Sequence, residues 1–168
     1  AYILNANDIG YDPNQQHGLI ISGDLTASNT DIIWGVKNVV TGANAGLDVL
    51  GAWDPVNTSY IEYLQLGVGI NNTNLIIASE GSGSSYAAGL ARSYNGGGYT
   101  NWYLPSYSEL NGIRRNKSYI GTINRTFYWS STESDDLAAW RVVFGNTGWD
   151  DAYDKNFPNA GVRAVRVF

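Results

Sequence analysis

An α+β fold is predicted for this 168-residue chain from three observations. Short apolar runs bounded by glycine recur towards both ends, two helix patterns lie between them, and strands and helices do not alternate one by one. The order strands, helices, strands excludes a regular α/β unit. The length suits one domain covering residues 1–168, and 43% apolar with 13% aromatic residues supplies a core and excludes disorder.

Taken in order, residues 1–16 with Asp8, Asp12 and Pro13 form an irregular lead-in. Gly18-Leu19-Ile20-Ile21-Ser22 and Asp31-Ile32-Ile33-Trp34-Gly35-Val36 read as strands. Residues 41–74 carry Gly, Asn and Asp throughout, with Pro55 inside. They read as a long loop excursion with a short helix near Tyr60–Leu66, and Leu75-Ile76-Ile77-Ala78-Ser79 as an apolar segment leading into the next helix. Ser84-Ser85 would cap a helix whose stripe is Ala87, Ala88, Leu90, Ala91 and Tyr94, stopped by Asn95-Gly96-Gly97-Gly98. Ser106-Tyr107-Ser108-Glu109 has capping-box spacing and opens a second helix with Leu110 and Ile113 on its apolar side. Strands follow at Phe127–Ser131, Ala139–Phe144, Trp149–Tyr153 and Val162–Phe168.

Composition removes several function classes. Cys and Met are absent and His17 is the single histidine, so disulfides, thiol nucleophiles, Cys-type zinc sites and His clusters are excluded. A net charge of −5 with few lysines argues against nucleic acid as a partner. No apolar run approaches the ~18 residues a spanning helix requires, so no membrane insertion is expected. Ala1–Asn5 lacks the basic start and long apolar run of a signal peptide, and without an initiator Met the chain reads as processed.

The second half resembles a known family. Asn95-Gly96-Gly97-Gly98-Tyr99-Thr100-Asn101-Trp102-Tyr103-Leu104-Pro105-Ser106 with Glu109-Leu110 is similar to its first signature. Tyr128-Trp129-Ser130-Ser131-Thr132-Glu133, Ala139-Trp140 and Val162-Arg163-Ala164-Val165-Arg166-Val167-Phe168 are similar to the rest. The family is the domain at the C-terminus of the Legionella collagen-like adhesin, found in many bacterial surface and phage proteins. His17-Gly18-Leu19-Ile20 and Ile33-Trp34-Gly35 are similar to the opening of longer members, so the resemblance covers most of the chain, residues 41–71 least. It implies a C-type-lectin-like fold: small antiparallel sheets, two flanking helices, and first and last strands paired. It further implies a location outside the cell, at the cell surface or on a phage particle. Some similar domains are diversified in their last segment by mutagenic retroelements. Ala164 stands where many relatives carry Cys, and the stretch from Phe144 to Gly148 is one residue longer than the pattern.

The candidate binding residues lie between Thr132 and Gly161. Asp135, Asp136, Arg141, Asn146, Trp149, Asp151, Tyr153, Asp154, Phe157 and Asn159 combine aromatic area with hydrogen-bonding groups, the side-chain mix binding surfaces favour. Trp149, Asp151 and Tyr153 alternate, so on a strand they share one face, which is expected to be exposed. Trp102, Trp129 and Trp140 are expected in the core, and Arg163 and Arg166 are expected to be tied to Asp or backbone. Asp150, Asp151 and Asp154 with Glu133, Asp135 and Asp136 offer the oxygen donors calcium prefers, but no spacing matches a calcium loop. No cofactor is therefore expected, with calcium the alternative. A hydrolase built on Glu133 and one of these Asp residues is the weaker reading, since carboxylate separation is not set by sequence. The four Asn-x-Ser/Thr sequons, at Asn57, Asn71, Asn116 and Asn124, are read as chance. The expected function is non-enzymatic recognition of a protein or glycan ligand on another surface, with a homo-oligomer as one form the domain would take. The competing reading is a structural or assembly subunit using the same patch as a protein interface.

Overall fold

The computed structural model describes residues 2–3, 6, 11–26, 30–44, 50–54, 59–63, 66–145 and 149–168. Among these lie eight strands and three α-helices: β1 (Tyr2–Ile3), β2 (Gly18–Ile21), β3 (Leu50–Asp54), β4 (Ser59–Tyr63), α1 (Val68–Glu80), α2 (Ala87–Ser93), α3 (Tyr107–Arg115), β5 (Phe127–Glu133), β6 (Ala138–Val143), β7 (Asp151–Asp154) and β8 (Val165–Val167). The α+β class holds. The strands form two three-stranded antiparallel sheets, ordered β1-β2-β8 and β5-β6-β7, and the hairpin β3-β4.

The first and last apolar segments pair, as the family resemblance implies. Leu19 stands opposite Val167 and Ile21 opposite Val165, and the Ser22 and Leu25 amides extend the contact to the carbonyls of Ala164 and Val162. Arg163, almost fully buried, donates to the carbonyls of Ser22, Ile120 and Thr122, so it is tied to backbone as expected. Arg166 donates to Asn101 and stacks on the Tyr99 ring.

Residues 41–74 are not a loop excursion. They contain β3, β4 and the start of α1, and Tyr60–Tyr63, expected in a short helix, is strand. Leu75–Ser79 lies inside α1, so three helices, not two, flank the sheets. The buried side of α1 is Gly69, Asn72, Thr73 and Ile76. That spacing is helical, but the residues are small or polar, so an apolar stripe never shows in the sequence. Gly69 has no alternative here: a Cβ would lie 2.6–2.7 Å from the Leu104 carbonyl, Glu109 and the Ser106 amide.

Glu109 links two helices. It completes the expected capping box of α3 with Ser106, and it also accepts from Gly67 N–H and Gly69 N–H at the start of α1 and from the Tyr103 hydroxyl. Burial pushes its carboxyl up from 4.5 while these donors pull it back, burial being the larger effect. The cap expected from Ser84-Ser85 does not form. Tyr86 precedes α2 in extended backbone, bridged to Ile33, and makes no side-chain cap.

The β5-β6-β7 sheet divides the interior. One face carries Trp129 and Ala139 into a core with Trp34, Trp102, Ile76, Ala88 and Val162; the other carries Tyr128 and Val142 against Leu110, Ile113 and Val165. The indoles of Trp34, Trp129 and Trp102 donate to the carbonyls of Ser130, Ile32 and Gly96. Trp140 is only half-buried, tilted against Tyr107 at 5.3 Å.

Candidate ligand-binding surface

Strand pairing sets the middle of the site. Arg141 on β6 stands opposite Trp129 on β5 and Asp151 on β7, so all three side chains share one face of the sheet. Residues 155–161 then cross that face, from the outer edge of β7 to the far edge of β5, where Gly161 bonds Phe127 and Trp129. Arg141 is trapped between. It is 5% exposed, pairs with Asp151 through Nε–Oδ1 at 2.6 Å and Nη2–Oδ2 at 3.0 Å, and donates to Asn159 Oδ1 at 2.7 Å. Its guanidinium lies 3.9 Å from the Phe127 ring centre and 3.8 Å from that of Tyr153. A planar cation filling both a bidentate carboxylate and two ring faces is a fixed strut, with little left to offer a ligand.

This corrects the expected exposed face. Arg141 is internal, and Asp151 and Asn159 are occupied by it. Tyr153 is half-buried, packed on the core and edge-to-face with Phe157 at 5.9 Å. Trp149 lies outside β7, which begins at Asp151, so the alternation that should align it with Asp151 and Tyr153 does not extend to it. It is 88% exposed. Asn146 lies outside the described residues.

At the other end of β7 three segments meet. The Asn38 amide donates to the Asp136 carbonyl, the Lys155 amide to the Leu137 carbonyl, and Lys37 pairs with Asp154. Beneath them lies a buried ion pair. Lys155 Nζ donates to Glu133 Oε1 at 2.5 Å and to the Val39 carbonyl at 2.8 Å, 5.0 Å from the Trp34 ring centre, while Glu133 accepts from the amides of Thr41 and Gly42. Above it Val40, Leu137 and Phe157 are exposed, with Asp135 and Asp136 beside them. The Leu137 and Ala138 amides hold the Asp135 carboxyl below its usual range, and the Lys37 ammonium does the same for Asp154.

The structure therefore keeps Asp135, Asp136, Trp149 and Phe157 as exposed side chains and sets Asp154 in a surface ion pair. Sequence reasoning missed Phe127, Lys37 and Val40. The period-2 register with Trp129 could have placed Phe127 beside Arg141; no local pattern marks Lys37 or Val40. Of the carboxylates weighed for calcium, Asp150 and Glu133 have other work. Asp150 accepts from Arg114, the Tyr107 hydroxyl and the Val143 amide, tying α3 to β6. Glu133 is paired with Lys155. Among the described residues no group of three or more His, Asp or Glu is placed to hold a metal ion, and no helix is long and apolar enough to cross a membrane. In comparisons with known proteins, no family model and no curated protein sequence matches the chain.

Proposed function

We propose that this chain is a non-enzymatic recognition domain with a C-type-lectin-like fold, akin to the adhesin family it resembles and displayed on a cell surface or phage particle. The paired terminal strands and the small antiparallel sheets with packed helices support that fold. The observation carrying the function is the contrast between a clamped interior and a bare rim. Arg141, Lys155 and Glu133 are paired internally, whereas Trp149, Phe157, Leu137 and Val40 stand exposed around the ends of β7. Rigid support beneath exposed aromatics lowers the ordering cost of binding, and such anchors supply most of an interface's affinity. The ligand is a protein or glycan on another surface, met by Trp149 and Phe157 with Asp135 and Asp136 as hydrogen-bond acceptors.

The test is a glycan array and a panel of purified surface proteins, probed with the wild-type chain and the double variant Trp149→Ala, Phe157→Ala. The variant should keep the wild-type melting temperature and lose about 30-fold or more in affinity, the equivalent of about 2 kcal/mol. Undiminished binding by the folded variant would place the site elsewhere. Absence of any ligand in both screens, with self-association through the same residues, would favour the assembly subunit instead.

A further inference from the structure

A cavity is lined by none of the residues of the surface described above. It has a volume of about 340 Å³ and sits between the C-terminal end of α1 and α2. Ile77 and Tyr86 line it, Gly83 and Gly89 pass along it, and Ser84 and Arg92 complete it. The wall is held in place by named contacts. The Tyr86 hydroxyl donates to the Gly81 carbonyl, and Tyr86 itself is bridged to Ile33. Gly83 is seated so closely on α2 that a Cβ at Gly89 would lie 1.8 Å from its carbonyl oxygen. Two glycines and small serines leave the space open where larger side chains would fill it.

Arg92 is the unusual member. Its Nη2 donates to Asn74 Oδ1 at 2.7 Å, but its Nε is buried without a hydrogen-bond partner, and among the described residues no carboxylate lies within salt-bridge distance of it. Burial, and after it the charge of Glu80, raises the Tyr86 hydroxyl; Glu80 turns to the Val36 amide and does not line the cavity. Arg92 is the one charged side chain lining the cavity, so an acid placed there meets a guanidinium for which no carboxylate of the lining competes. A mainly apolar cavity of this size, with a few convergent polar groups, has the character of a small-molecule site.

We infer that this cavity binds a small carboxylic acid with a compact apolar body, of the size of an aryl-substituted acetate. The carboxylate engages the guanidinium of Arg92, and the apolar body packs on Tyr86 and Ile77. The site is independent of the rim surface, so either can exist without the other.

Phenylacetate titrated into the 168-residue chain, followed by amide chemical shifts, tests this directly. Saturable shifts should centre on Gly83 and Gly89. The neutral analogue 2-phenylethanol should bind about tenfold more weakly, and Arg92→Gln, with its melting temperature unchanged, should weaken phenylacetate to a similar extent. The paired readout is needed because the alcohol comparison uses the unaltered protein, whatever the substitution does to folding. Absence of saturable shifts up to millimolar phenylacetate, shifts centred elsewhere, or equal binding of acid and alcohol would each overturn the assignment.

Discussion

Substituting Glu133 by Gln separates a structural ion pair from an ornamental one. The Lys155 side chain is fully buried and its ammonium has two acceptors, Glu133 and the Val39 carbonyl. Glu133→Gln keeps the shape but removes the charge that neutralises Lys155. At 2.5 Å the pair's attraction is on the order of 6–7 kcal/mol for an effective dielectric near 20, and much of that offsets the cost of burying both ions. The amide adds a second defect. With its oxygen kept towards Lys155, its NH2 faces the Gly42 amide, which loses its acceptor. Breaking one side of a buried pair commonly costs about 3–5 kcal/mol, and that is the expected loss here by urea unfolding. Lys155→Met should cost a similar amount. The double variant should cost at least about 2 kcal/mol less than the two single losses added, because no uncompensated charge is left behind. A loss below about 1 kcal/mol for Glu133→Gln, or additive losses in the double variant, would refute the reasoning. Hydrogen exchange should show the defect first at residues 39–43, which Glu133 and Lys155 anchor.

Three further outcomes follow from the geometry. Arg141→Lys keeps the charge but loses the bidentate contact to Asp151 and both ring faces, and should destabilise by about 2–4 kcal/mol in thermal unfolding, since a lysine cannot reproduce the planar fork. Trp129→Ala should cost about 3–5 kcal/mol, while half-buried Tyr153, stacked on Arg141, should cost about 1–3 kcal/mol as Ala; equal losses would show that the ring faces are not doing different jobs. Because burial raises the folded-state value of Glu109 above 4.5, its protonated form favours the fold, and that contribution falls as pH rises from about 4.5 through the folded value. Glu109→Gln should flatten this part of the stability–pH curve; an unchanged slope would assign it to other groups.

What the sequence determined was what neighbours along the chain decide. The capping box at Ser106 and Glu109 is written within four residues, and the stop at Gly96–Gly98 needs only glycine's backbone freedom. The apolar strands at Leu19–Ile21 and Val165–Val167 announce themselves, and their pairing was reached through the family resemblance. Trp129 was legible as core because a large ring flanked by strand-forming residues has few other places to go. Helix α1 was not legible. Its buried stripe is Gly69, Asn72, Thr73 and Ile76, and its first amides are capped by Glu109, about 40 residues away in sequence, so neither apolar period nor local cap marks it. The same holds for the site. Local alternation placed Asp151 and Tyr153 on one face of β7 but could not say that residues 155–161 would fold back across that face and seal Arg141 beneath it. Exposure is a property of what covers a side chain, and covering is done by segments distant in sequence. That is why residue type and spacing named candidate binding residues, while tertiary packing alone decided that Arg141 is a strut and Trp149 and Phe157 are surface.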